Sequence, residues 1–339
     1  QLRLLHGLPA GCPGPLAGNG GFELVMPAAS SSQPGRWGLG RIAGQSAILV
    51  SGFATAQACS FIRNALIGHW LSRGDFGVAA SIALTLHLCE TLLDLGADRL
   101  IVQAPDGDRP TLMASAHSAL IARGVFSSLI LFALAGPMAA VFGIPEAAWA
   151  FQAIAAVPFL KGFLHLDMRR RQRHFDNTPF FAVEVFPQLL SLAATIPVLW
   201  LTQSYEAVVW LAFLQSTMMI ITSHLVASRT YRIRFSWPHL LRLWGFGWPI
   251  WLSALPLIAV YQADRMIVGN RFGIETLADY TAVFMVTMVP SLIAARVGQA
   301  LMLPLLAEAR SQPETFTKRL VGLAIITTAT AIAYIAGFA

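Results

Sequence analysis

The chain is predicted to be an all-α membrane protein, a polytopic helical bundle of about nine spans. Three observations predict it: apolar composition, span-length apolar runs, and an alternating distribution of basic residues. Hydrophobic residues fill 56% of 339 positions and charged ones only 12%, about half the charged share of a soluble domain. The mean hydropathy is +0.62, more apolar surface than a water-soluble fold can hide, so lipid is the solvent that makes this composition stable.

A span needs about 20 mostly apolar residues. The runs at 42–62, 76–97, 115–142, 147–167, 178–201, 205–227, 245–263, 276–303 and 318–339 qualify. Polar turns separate them, among them Ser72-Arg73-Gly74-Asp75, Pro105-Asp106-Gly107-Asp108, Gly143-Ile144-Pro145-Glu146 and Thr202-Gln203-Ser204. Short connections make their flanking helices antiparallel neighbours.

Basic residues orient the bundle. With a cytoplasmic N-terminus, inside segments hold 15 Lys and Arg, including Arg99, Arg109, the Arg169–Arg173 cluster and Arg229–Arg242. Outside loops hold four, Arg63, Arg73, Arg265 and Arg271. One span more or fewer would scramble that alternation.

Residues 1–36 are rich in Gly, Pro, Ala and Ser. They are expected to be a disordered leader or wrongly translated upstream sequence, with Met26 as the candidate start. The next unit, 37–227, is a six-helix lobe. The last, 228–339, is a second lobe expected to be truncated after its third helix. A weak repeat supports the division: Arg63-Asn64-Ala65-Leu66-Ile67-Gly68 followed by Asp75-Phe76, against Arg265-Met266-Ile267-Val268-Gly269 followed by Asp279-Tyr280. Six helices separate the copies, so both enter the membrane in the same direction. A parallel repeat puts a pseudo-two-fold axis along the membrane normal.

Several attractive signals carry no chemistry. Gly38-Leu39-Gly40-Arg41-Ile42-Ala43 has the dinucleotide spacing, but no strand precedes it and a span follows. Cys12, Cys59 and Cys89 lack zinc or disulfide spacing. The Met168–Asp176 run reads as a nucleic-acid patch in isolation. At a membrane boundary it reads as a topology signal touching anionic lipid, so nucleic acid is not an expected partner.

The informative residues are charges inside the spans. Each costs roughly 2.5–3.5 kcal/mol at the bilayer centre even on the lenient scale, and must face protein or water. His87, Glu90 and Asp94 share one face of the second span. Arg123 lies in the third span, Lys161 late in the fourth, and Glu184, Gln188 and Ser191 make a stripe on the fifth. Arg296 and Gln299 share a face on the eighth, and Asp264 with Arg265 closes the seventh. Asp94, Arg63, Asp264 and Arg265 lie near span ends, where snorkelling is an equal reading. Glu184 has a similar interfacial alternative, and Lys161 has the option of reaching back toward the Arg169–Arg173 cluster. Should Glu90 pair with Arg123, Lys161, Arg296 and Arg63 remain as excess cations. Such a cavity attracts an anion such as phosphate, for which Arg offers a bidentate fork.

The stretch from Ala58 through Arg63 to Leu71-Ser72-Arg73-Gly74-Asp75-Phe76-Gly77 resembles the opening of polysaccharide (O-antigen and exopolysaccharide type) flippases. Tyr261-Gln262-Ala263-Asp264-Arg265-Met266-Ile267-Val268-Gly269 is similar to that family's seventh-helix signature. Leu277-Ala278-Asp279-Tyr280 resembles its entry to helix eight, with Ala and Asp where Leu-Gly is usual. Arg123 matches an Arg often found in its third helix. The resemblance covers roughly 37–319. It implies the superfamily of multidrug, oligosaccharidyl-lipid and polysaccharide exporters, with two six-helix lobes around a cavity and alternating access. It implies a bacterial inner-membrane location and a polyprenyl-pyrophosphate-linked oligosaccharide as substrate. Polysaccharide polymerase and chain-length proteins are the implied partners.

On this reading Arg63, Arg123, Arg296 and Lys161 are the candidate substrate-binding cations. Glu90, Asp94, Asp264 and Arg265 are the candidate pairing or coupling groups. No cofactor or metal is expected, and H+ or Na+ is the candidate coupling ion. A non-enzymatic role is expected. The rivals are a cation-coupled multidrug antiporter and a membrane-embedded glycosyltransferase or polymerase.

Overall fold

The structure is a computed structural model that describes residues 39–288, together with scattered helical positions between 317 and 336. The 1–36 leader, most of the ninth span and the second half of the eighth lie outside the described residues. Among the described residues the secondary structure is helical with no strand. Six helices among the described residues are long and apolar enough to cross a bilayer, which makes this a multi-pass membrane protein.

α1 (Leu39–Trp70) and α2 (Arg73–Leu92) form the first hairpin. The turn between them is a helix cap, with Ser72 Oγ accepting from the Asp75 amide at 3.1 Å and donating to Asp75 Oδ2 at 2.7 Å. An oxygen at that position satisfies an amide that has no partner within the helix. A short α3 (Ala97–Gln103) leads to α4 (Pro110–Val141), whose proline at its first position suits a helix start.

The expected fourth span at 147–167 is not one helix. It divides into α5 (Ala148–Ile154) and α6 (Ala156–Lys161), and Asp167 opens a separate α7 (Asp167–Arg173). Pro158 has no N–H to give the Ile154 carbonyl, so the ladder breaks there. α8 (Thr178–Thr202), α9 (Glu206–Leu225) and α10 (Trp237–Tyr261) follow, then α11 (Ala263–Phe272) and a helical segment at 274–288. α10 begins eight residues before the expected 245, and Gln262 breaks it from α11 with φ of −131°.

α8 packs against both α1 and α9, and α4 packs against α5 and α6. The largest apolar cluster joins Ile82, Leu131, Phe142, Phe151 and Ile154 to Leu277. Outward faces stay apolar: Phe126, Leu129, Phe132, Trp200 and Leu201 are all exposed. In water that surface would be a liability; against acyl chains it is the stable arrangement.

The Met168–Asp176 basic run covers most of α7 and the turn after it, and is engaged within the chain. Arg170 pairs with Asp167 at 2.6 Å, Arg171 with Asp176 at 2.6 Å, and Arg173 with Asp108 at 3.5 Å. Arg173 also donates to the Ala104 and Pro105 carbonyls. Beside it, the 227–236 connector docks on a histidine cluster. His117 Nε2 accepts from the Leu166 amide at 3.1 Å, which leaves Nδ1–H to donate to the Arg232 carbonyl at 3.1 Å. His165 Nδ1 accepts from the Asp167 amide and its Nε2–H donates to the Arg229 carbonyl at 3.0 Å. Tyr231 stacks on His117 with centroids 4.3 Å apart.

Candidate functional site

The face shared by His87, Glu90 and Asp94 looks into a cavity of about 370 Å³. Arg123 and Lys161 line the same cavity, together with Asp98, Arg99 and Arg169. The helix crossing that unites them rests on two glycines. A Cβ on Gly124 would stand 2.7 Å from the Pro158 carbonyl oxygen, and one on Gly162 would stand 3.1 Å from the Leu120 oxygen. α4 and α6 therefore touch backbone to backbone. The residues immediately before those glycines are Arg123 and Lys161, so the contact that joins the helices also sets both cations at one cavity.

The pairing differs from the sequence expectation. Glu90 pairs with Lys161, Nζ to Oε1 at 2.7 Å, and Arg123 pairs with Asp94, Nη1 to Oδ1 at 3.2 Å. The physical reason lies in where α2 ends. Leu93 caps the helix, and the chain turns through Gly96 in the left-handed region with φ of +62°. That turn swings Asp94 under Arg123 and leaves Glu90, still on the helix, facing the end of α6. Lys161 is thus not an excess cation. Both pairs remain about one quarter to one third exposed (25–30%), wet enough to exchange partners.

Asp94 has further donors: Gly96 N–H at 3.0 Å to Oδ1 and Arg99 Nη2 at 3.3 Å to Oδ2. Arg169 pairs with Asp98 at 3.2 Å. Among the described residues four cations and three carboxylates line the cavity.

Arg63 also departs from expectation. A span closing at 62 puts it in an outer loop, yet α1 runs on to Trp70 and carries Arg63 two turns inside the helix. Its guanidinium turns inward, where Nη1 donates to Ser191 Oγ at 3.0 Å and to Gln215 Oε1. Both are neutral partners, so its charge is solvated without being cancelled. Arg63 lines a second cavity of about 240 Å³, and His87, Glu90 and Lys161 line that cavity as well as the first. These three residues are the partition between the two cavities.

Asp264 and Arg265 sit apart from this cluster's ion pairs, at the start of α11. Asp264 Oδ2 accepts from the Tyr280 hydroxyl at 2.6 Å, Arg265 donates to Gln262, and its guanidinium lies 4.2 Å from the Phe284 ring centroid. Arg296 and Gln299 lie outside the described residues. Glu184 is half-buried on α8.

Sequence reasoning missed Asp98, Arg99 and Arg169 as cavity residues, because loop charges at a membrane boundary read as topology signals. It also missed Gln215 as the partner of Arg63. The signal for the first group was Asp94-x-x-x-Asp98 directly after an apolar run.

A family model described as polysaccharide biosynthesis protein matches residues 68–338. Among solved structures, a MATE protein in complex with MaD3S is similar with a TM-score of 0.54 at 16% identity, covering 87% of this chain and 72% of that one. A MATE protein in a straight conformation gives 0.53 at 16% identity, covering 87% and 71%. At that identity the likeness concerns the fold alone. No curated protein matches the chain.

Proposed function

Since the chain belongs to the polysaccharide biosynthesis protein family, we propose that it flips a polyprenyl-pyrophosphate-linked oligosaccharide across the bacterial inner membrane by alternating access. The observation that carries the proposal is the convergence of Arg99, Arg123, Lys161 and Arg169 on one cavity, which this reading puts at the cytoplasmic side. A pyrophosphate is the part of such a substrate that cannot enter lipid unaided, and preplaced cations are what replace its water. The Arg63 cavity beyond the Glu90–Lys161 partition is the next station for the same group, with its charge held by neutral acceptors.

Residues 37–227 act as one lobe in this reading, and the later helices as part of a second. Glu90 and Asp94 hold the cations at rest and are the groups on which an H+ or Na+ would act as coupling ion. Polymerase and chain-length proteins are the partners such a substrate calls for.

In a strain carrying Arg123→Ala, lipid-linked repeat units are expected to accumulate facing the cytoplasm. Normal surface polysaccharide in that strain would refute the assignment. A second reading, a cation-coupled drug antiporter, draws on Glu90, Asp94 and Asp98 as acceptors in the same cavity. Transport of a cationic dye that Glu90→Gln abolishes would favour it.

A further inference from the structure

We infer that Glu90 and Asp94 are built-in stand-ins for the substrate's phosphates, exchanged for the pyrophosphate when it binds. The inference rests on the anionic-substrate reading above and specifies how that site is regulated.

Cations placed in a half-wet cavity without counter-charges would repel one another and lower the stability of the resting fold. Here each central cation has a carboxylate at contact distance: Lys161 on Glu90 at 2.7 Å, Arg123 on Asp94 at 3.2 Å. Neither arrangement saturates its cation. Arg123 reaches Asp94 through Nη1 alone, so the bidentate fork that suits a phosphate stays half used. A pyrophosphate carries more charge and more acceptor oxygens than one carboxylate, and it displaces the carboxylate where the geometry leaves the latter free to yield.

The two carboxylates are not equally free. When Arg123 turns to a phosphate, Asp94 keeps the Gly96 amide and Arg99. Glu90 keeps no second hydrogen-bond donor among the described residues, with His87 its neighbour on the same helix face. Exchange at Arg123 is therefore the easy step. Exchange at Lys161 strands a carboxylate at the partition between the two cavities, so bound anion and Glu90 compete directly. That competition keeps the pyrophosphate from settling permanently on the cations, which a carrier needs in order to release its cargo.

The arrangement predicts a ranking. Glu90→Gln removes both the competitor and the stranding, so binding tightens about tenfold, the equivalent of about 1.4 kcal/mol. Asp94→Asn tightens binding less, by about two- to threefold on the same scale. Both variants slow turnover, because release becomes the slow step.

The test uses the full chain in nanodiscs with geranylgeranyl pyrophosphate as probe. Inorganic pyrophosphate and geranylgeraniol are the headgroup-only and chain-only arms. Affinity is read by titration, and ligand-dependent thermal stabilisation guards against a poorly folded variant. A Glu90→Gln protein that melts early without ligand and is rescued further by the pyrophosphate than wild type supports the exchange. Wild type that binds the pyrophosphate, with Glu90→Gln binding equal or weaker, overturns the exchange and leaves the anionic cavity standing. Failure of wild type and both variants to bind pyrophosphate in any form overturns the anionic reading, and the exchange with it.

Discussion

Substituting Gly124 by alanine should weaken the fold and the site together. The added Cβ would lie 2.7 Å from the Pro158 oxygen and 3.1 Å from the Gly162 Cα. Ordinary contact begins near 3.4 Å, so α4 and α6 must part by about 0.7 Å unless the kinked α6 backbone yields. A gap of that size forfeits about a quarter to a half of the dispersion between the facing atoms, and overpacking of this kind costs about 1–3 kcal/mol. The same parting moves Arg123 away from Lys161, whose helices the two glycines hold together. Thermal unfolding of the detergent-purified chain is the assay, with Gly136→Ala on the same helix as the reference. Nothing lies within 4 Å of a Cβ at Gly136, so that change is expected to be neutral or slightly stabilising, as Gly in a helix interior is about 0.5–1 kcal/mol worse than Ala. A Gly124→Ala protein that melts with Gly136→Ala and binds anions normally would refute the claim that backbone contact sets the site.

Other consequences follow from single contacts. Lys161→Met leaves Glu90 uncompensated and is expected to cost about 1–3 kcal/mol at this partial exposure, while Glu90→Gln with Lys161→Met costs less than the two singles summed; a double-mutant cycle measures the difference. Gly77→Val would drive a side chain into the Ile274 carbonyl where the 274–288 helix meets α2, so it should force that helix off α2 and abolish transport while leaving expression in the membrane; normal transport would contradict the packing. In the loop between α3 and α4, the hydrogen bond from Arg242 holds the Asp106 carboxyl below its ordinary value. That contribution is full above an unfolded pKa of about 3.9 and is lost as pH falls through the depressed folded value. Arg242→Gln should accordingly flatten the acid side of the melting curve, and an unchanged acid slope would contradict it.

Much of the bundle was legible because each buried charge and each span has a large energetic signature in lipid. α4, α8 and α9 begin and end close to where hydropathy places them. Hydropathy failed at α1, since a helix continues through Arg63 and Asn64 when neighbours supply Ser191 and Gln215; hydrogen bonding, not apolarity, extends it to Trp70. The break in the fourth span was readable in principle from Pro158, which an apolar average conceals. Which acid meets which base was not legible at all. That choice depends on the left-handed turn at Gly96 and on the α4–α6 crossing at Gly124 and Gly162, features whose residues carry no charge and whose effect is three-dimensional. The face shared by His87, Glu90 and Asp94 survived this because it is a property of one helix and its first turn beyond.

The most direct test of the account is translocation in proteoliposomes of a fluorescent polyprenyl-pyrophosphate saccharide, set against the same saccharide on an uncharged polyprenyl ether. The account predicts that only the pyrophosphate form moves, and that Arg63→Gln with Arg123→Gln stops it. Equal movement of both lipids, or movement indifferent to those arginines, would contradict it.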